Sequence, residues 1–396
     1  MLLSNQFYEL FREETCAVNL KLNENRELDN PFDSLFAHKS MDGVYSKEYS
    51  VIPIGELGGR LEAEPIKEKN MTMGYVCYGS VSIEASGKVS ISGQLEQRSR
   101  EFRSGDGVDE ARFAGYIADT VSKGFISRQK TKWQKLCANI FNLGGIQAGN
   151  NFFNHRIRTN GLPDLPNTGL QYDGTSLFTL PTNPHASYSN GAIVGPGSRA
   201  VGTRIDMGAL IGDTGGYFNA FLLAPSYWAL KRVFTHCCFN MQYDENNVRY
   251  NAKPDTLVVS SYNYPLWMEI LKSRIIEPRG IGGSQYSTNR ENIFVSVEGF
   301  DLEVVVSPEI IANTWFVGKK QSGGIILLDP TEKDDPWAYY RDEDNRSYFI
   351  SYEKMWGFLV RNWRCWCAGA ISLDGVTPPA FAGIAEANWD TIPAGV

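Results

Sequence analysis

Apolar residues recur at helical spacing through residues 107–143. Phe113, Ile117, Val121 and Phe125 lie four apart, and Trp133, Leu136, Cys137, Ile140 and Phe141 continue the stripe. Acids come early (Asp109, Glu110) and bases late (Lys130, Lys132, Lys135), as the helix dipole prefers, and Gly144-Gly145 supplies a stop. A continuous helix here would be about 55 Å long at ~1.5 Å per residue, unless Gly115 or Gly124 breaks it. Heptads are not sustained, so it reads as a structural spine and not a coiled coil.

Elsewhere the pattern is mixed. Residues 80–92 alternate Val81, Ile83, then Val89, Ile91, as a strand does. Helices are predicted over 222–236 and 264–274, and strands over 255–261, 292–297 and 302–308. "WFVGKK" and "GIILLD" (324–329) read as a further strand pair, and 348–372 as an aromatic, strand-like ending. Residues 1–44 open with a short helical pattern (Phe7, Leu10, Phe11) and then become polar and irregular, poor material for a core. Residues 45–79 suit a long polar hairpin, with Gly58-Gly59 at its tip and Glu62, Glu64, Lys67, Glu68 and Lys69 keeping it in water; it needs a host surface. Residues 145–220 are rich in turn formers and show little periodicity, and no repeat is found.

Composition narrows the class. The 396 residues are 42% hydrophobic and 21% charged, an ordinary globular balance with room for two or three packed units. The net charge of −7 argues against a coat that grips phosphates with its whole surface, though not against a container for DNA. No basic n-region and no apolar run of about 18 residues occurs, so neither a signal peptide nor a membrane span is expected. Seven Cys without a secretion signal read as reduced thiols.

The chain has four His, at 38, 155, 185 and 236, as candidates for catalytic chemistry. None sits in a zinc-protease pattern or beside a nucleophile elbow. His185 with Asp173 lacks a nucleophile partner and reads as a turn residue. His236-Cys237-Cys238 and Cys365-Trp366-Cys367 lack structural zinc spacing and read as small buried hydrophobes. "GGIQAGNN" and "GPGSRA" match no phosphate loop, and Asp334-Asp335 and "RDEDNR" (341–346) read as solvated loops. "SRQKTKWQK" could suggest nucleic acid through its bases and Trp133, but a polar helix face explains it. No catalytic, cofactor or metal residue is assigned, and no enzyme activity is expected.

The order of the parts is informative. "YDGTSLFTLPTNPH" is similar to an Asp-Gly…Leu-Phe…His-Pro segment of Mu-like tailed-phage major head subunits, with Pro here preceding His. "KPDTLVVSS" followed by a helix, "NIFVSVEGFDLEVVVSPEI…NTWFVGKK" and "YEKMWGFLVRNWRCWCAGA" follow in the family's order, the last resembling a Gly-x-x-x-Arg closing strand through Gly357 and Arg361. Over residues 45–372 the chain resembles the HK97-like capsid fold, an α+β class. The resemblance implies an N-terminal arm (1–44), an E-loop (45–79) lying over a neighbouring subunit, and a P-domain (80–169) with the spine helix (107–143). It further implies an A-domain (170–327), P-domain return strands (328–372) and a C-terminal tail (373–396). The implied role is a self-assembling capsid subunit, in pentamers and hexamers, around packaged dsDNA held without sequence specificity. Portal, scaffolding and cement or decoration proteins are implied partners, the virion the implied location after assembly in the host cytoplasm, and no cofactor or membrane is implied. Arg60, Glu62, Glu64, Lys67 and Lys69 are candidate inter-subunit residues. Leu177 and Phe178 are expected to pin their loop to the core. Two alternatives stand: an encapsulin-type nanocompartment shell with the same fold, and an α+β hydrolytic enzyme suggested only by Trp and Tyr content.

Overall fold

The protein is described by a computed structural model, covering residues 31–32, 34–41, 45–52, 72–91, 110–144, 177–180, 186–189, 192–196, 218–239, 253–273, 275–276, 290–296, 302–330, 337–342 and 347–381. In chain order the elements are β1 (Ala37–Met41), β2 (Tyr45–Ile52), β3 (Thr72–Ile91), α1 (Glu110–Leu143), β4 (Ala186–Ser189), β5 (Ala192–Pro196) and α2 (Tyr227–Phe239). There follow β6 (Thr256–Ser260), α3 (Tyr264–Lys272), β7 (Ile275–Ile276), β8 (Arg290–Glu291), the short α4 (Ile293–Ser296), β9 (Glu303–Ser307) and β10 (Trp315–Gly318). The chain closes with β11 (Ile325–Pro330), β12 (Trp337–Asp342), β13 (Ser347–Val360), a 3₁₀ turn (Trp363–Cys365) and β14 (Trp366–Ala370).

The predicted long helix forms without a break. Gly124 lies on its exposed side, where an added Cβ would meet nothing, so the glycine weakens the helix locally without kinking it. The helix stops at Gly144, where a Cβ would lie 2.2 Å from the Ile140 carbonyl oxygen that the Gly144 amide bonds at 3.1 Å.

Two sheets flank this helix. The larger has the order β1-β11-β13-β3-β2, with β12 paired to β13. β3 is 20 residues long and runs antiparallel to β13 from Tyr348↔Ile91 to Phe358↔Ser80, while its other edge takes β2 in an antiparallel hairpin. The connection 53–71, with Gly58-Gly59, lies outside the described residues. The smaller sheet has the order β14-β10-β6-β9, and β14, β10 and β6 are buried along their whole length.

Helix α1 joins the two sheets. Trp133 packs on Trp356 and Phe358 of β13 (ring centroids 4.9 and 5.9 Å), and two turns later Phe141 packs on Phe316 and Trp366 of the smaller sheet (5.1 and 5.0 Å). Each such buried side chain contributes about 1.5–3 kcal/mol.

Four sequence expectations change. Residues 31–41 are not an irregular polar segment. Phe32, Leu35 and Phe36 are buried, Phe32 and Phe36 stack on Phe141, and β1 pairs in parallel with β11. Three apolar side chains in a polar stretch show no period, so local reading misses them. Residues 292–296 of "NIFVSV" form no strand: Asn292 accepts from the Phe294 amide (3.0 Å) and donates to the Ile270 and Ser273 carbonyls (both 2.7 Å). That cap starts the helical turn α4, and Phe294 packs edge-on against Tyr227 and Phe234 of α2.

β10 and β11 do not pair, because the chain crosses between the sheets at 319–324. Gln321 (φ 49°) and Gly323 (φ 72°) are left-handed there, which turns the backbone away from a hairpin. The return crossing, 361–365, lies against it: the Arg361 and Asn362 amides donate to the Gly324 carbonyl and the Lys319 amide to that of Cys365. The 348–372 ending is therefore two strands in different sheets. β11 (Ile325–Pro330) belongs to the larger sheet, and β14 pairs with β10, which pairs with β6.

Candidate assembly surface

The smaller sheet has a polarity with a consequence. β10 runs antiparallel to both β6 and β14, and β6 runs parallel to β9. Hence β6, β9 and β14 all finish at the end of the sheet where β10 begins. Segments 261–266, 308–314 and 371–381 emerge there together. Among the described residues, every large exposed apolar side chain belongs to two of these segments: Tyr262 (76% exposed), Tyr264 and Leu266 after β6, and Leu373, Val376 (77%) and Phe381 after β14. Exposed apolar groups scattered singly need no explanation; six in two segments that leave the same end of one sheet mark a candidate contact surface.

The mount beneath this surface is stiff. Asn263 is buried and exchanges two bonds with Asn313: its Nδ2 donates to Asn313 Oδ1 (2.9 Å), and the Asn313 amide donates to its Oδ1 (2.7 Å). Asn313 is left-handed (φ 64°), a conformation asparagine tolerates better than most residues. Trp267, one residue past the exposed Leu266, is buried against Trp315 with centroids 4.9 Å apart, and Trp315 Nε1 donates to the Leu223 carbonyl (3.0 Å). Asn142, in the last turn of α1, holds the 308–314 segment by donating to the Glu309 carbonyl (2.8 Å) and accepting from the Ile311 amide (3.2 Å). After β14, Asp374 accepts from Ser372, Val376 and Thr377, and these bonds, those from Thr377 first, hold its carboxyl below the usual carboxylate range.

The interior is fastened by another asparagine. Asn219 is fully buried; it donates to the carbonyls of Leu177 (2.8 Å), Trp366 (3.0 Å) and Trp363 (3.3 Å) and accepts from the Thr179 amide (3.0 Å). Three segments far apart in sequence meet on this one side chain. Leu177 and Phe178 are both fully buried, so the expected anchoring of that loop is seen, with Phe178 against Phe141 and Phe316. The glycines Gly318 and Gly369 give room to Trp366 and Trp315, whose rings pass within 2.3 and 2.0 Å of where a Cβ would stand.

Arg60, Glu62, Glu64, Lys67 and Lys69 lie outside the described residues, as do Asp173, His185 and His155, Asp334-Asp335 and residues 343–346 of "RDEDNR". His38 is exposed on β1. His236 is buried between Phe218 and Phe221 (4.7 and 5.1 Å), and its Nε2 donates to the Phe218 carbonyl at 2.9 Å. Burial lowers its pKa to about 4, with Arg232 acting in the same direction, so the ring is neutral at pH 7. Cys237, Cys365 and Cys367 are buried, as the small-hydrophobe reading expects, and Cys238 is half-buried. Burial raises the Cys238 thiol to about 11 and also raises Cys365. No group of three His, Cys, Asp or Glu able to hold a metal occurs among the described residues, and no helix among them is long and apolar enough to cross a membrane.

No protein-family model and no curated protein matches the chain. Solved structures similar to it include the capsid asymmetric unit of cyanophage A-1(L), at TM-score 0.45 and 11% identity over 86% of this chain and 92% of that one. The capsid of cyanophage P-SCSP1u is similar at TM-score 0.42 and 10% identity (85% and 86% covered). A structure from Mycobacterium phage Patience is similar at TM-score 0.44 and 10% identity (96% and 90% covered).

Proposed function

We propose that this chain is a structural capsid subunit of the HK97-like fold: the Mu-like type of major head protein that assembles, as pentamers and hexamers, into an icosahedral shell around the dsDNA of a tailed phage. The observation that carries this reading is that the large exposed apolar side chains among the described residues fall in two segments leaving the same end of a sheet, three of whose four strands are buried along their whole length. Such a surface serves repeated contact with further copies, and head-to-tail contacts of that kind close into rings. The sequence resemblance supplies the rest: its segments fall in the order expected of that fold around a long helix. In these terms, the large sheet and α1 correspond to the P-domain and the smaller sheet to the A-domain. Residues 45–79, with Arg60, Glu62, Glu64, Lys67 and Lys69, correspond to the E-loop lying on a neighbour. Portal, scaffolding and cement proteins would be the partners in the virion, after assembly in the host cytoplasm.

Expression of the full chain, alone and with a phage scaffolding protein, followed by negative-stain electron microscopy and a mass measurement, tests the reading. Capsomers, tubes or shells tens of nanometres across are expected. A monodisperse monomer under every assembly condition overturns it. Nucleic acid inside native particles separates a virus shell from an encapsulin-type compartment.

A further inference from the structure

From residue 120 to 143 the spine helix holds five bases, Lys123, Arg128, Lys130, Lys132 and Lys135, and no Asp or Glu, in a chain whose net charge is −7. Arg128, Lys132 and Lys135 follow i, i+4, i+7 spacing, so they form one stripe about 10 Å long at ~1.5 Å per residue. All three are exposed, and among the described residues none of them is paired with a carboxylate. Like charges at this spacing oppose helix formation, and none of the three stands in the last turn of α1, where the helix dipole would favour a base. The other exposed described positions from 120 to 135 are Thr120, Lys123, Gly124, Ser127 and Thr131, all basic or small and polar. Trp133, which would be the base-stacking residue, is buried against β13 instead.

We infer that this face of α1 binds the phosphate backbone of duplex DNA, without reading its sequence. A protein partner would call for apolar or aromatic anchors, and the described exposed positions from 120 to 135 offer none. A phosphate backbone calls for charge and small polar neighbours, which it does offer. The overall negative charge does not prevent the contact, because the Debye length of about 10 Å at 0.1 M salt confines the repulsion to near neighbours. The inference rests on the shell reading for the source of the DNA, and it places the stripe on the genome side of the shell.

The test is fluorescence anisotropy of a random-sequence 30-base-pair duplex with the full chain, from 50 to 200 mM salt. Three phosphate contacts give a slope of log K against log salt near −2.7, a roughly 40-fold loss of affinity over that range. In R128Q/K132Q/K135Q the slope falls towards zero, while K132R/K135R keeps it, with the unfolding midpoint of both unchanged. Equal slopes for wild type and the triple variant overturn the inference. So does a triple variant that keeps the wild-type slope yet no longer assembles, which assigns the stripe to an acidic surface of a neighbouring copy. Shells without salt-dependent DNA binding remove this inference and leave the shell reading; salt-dependent binding by a chain that never assembles does the reverse.

Discussion

The two halves of β13 lie in one strand and meet opposite fates. From Trp356 to Val360 every residue is buried, with Trp356 and Phe358 against Trp133 on one face and Leu359 against Ile326 and Leu328 on the other. Before the register shift at Lys354/Met355, Phe349 and Ser351 are half-buried and Glu353 is exposed; Met355, just past it, is half-buried. The hydrogen-bond ladder with β3 continues through both halves, so pairing does not distinguish them. Among the described residues, what distinguishes them is α1, whose Trp133 packs on Trp356 and Phe358 of the second half. A strand can be fully paired and still have little under it, and a subunit that assembles can leave such a surface for its neighbours.

The sharpest way to break this comparison lies where the covered region is fastened. Asn219→Ala removes four side-chain bonds and strands buried carbonyls; a loss of about 4 kcal/mol or more, up to failure to fold, is expected in urea unfolding. A loss below about 1 kcal/mol would show that the three segments are held together by packing alone. Next, Trp356→Ala opens a cavity under α1 and should cost about 3–5 kcal/mol. Phe349→Ala, in the first half and under the Lys88 ammonium at 4.0 Å, should cost only about 1 kcal/mol. Similar losses at both positions would mean that the two halves are equally packed.

Acid sharpens the contrast from another side. His236 takes up its proton near pH 6.5 in the unfolded chain and near 4 in the folded one. Its contribution is therefore complete above about pH 6.5 and is lost as pH falls from there to about 4, a change of about 3 kcal/mol. The stability curve of His236→Gln should lack that component, and a curve parallel to wild type from pH 7 to 4 would refute the assignment. The smallest effect on stability is expected at the exposed end of the smaller sheet. Tyr262→Ser and Leu266→Ser should change it by less than about 0.5 kcal/mol, while sedimentation shows weakened self-association. Unchanged assembly would remove this surface from the contacts between copies.

Residues with a strong local signal were legible from sequence alone. The helix stripe of 107–143, the strands at 255–261 and 302–308 and the anchor Leu177-Phe178 depend on periodicity or on a short apolar run between turn formers. The exposed apolar end was not legible, because in "SSYNYPLWMEIL" apolar residues fill both faces; only packing decides that Trp267 goes inward and Tyr262 and Leu266 outward. Nor could the asparagines at 142, 219, 263 and 292 be told from loop residues, since their bonding partners lie as far away as 169 positions along the chain. The basic stripe was visible as charge and had a sufficient local explanation in a solvated face. Its lack of carboxylate partners among the described residues appears only once the chain is folded.

The sequence by itself determined where the chain is regular, because local backbone preference and apolar spacing act over a few residues. Tertiary structure alone decided which sheet each strand joins, since β10 and β11 are parted by two left-handed residues and β13 and β14 by a crossing pinned to Gly324. It also decided which apolar side chains stay outside. Burial is a competition for one limited interior, and its outcome depends on every other segment that reaches the same place.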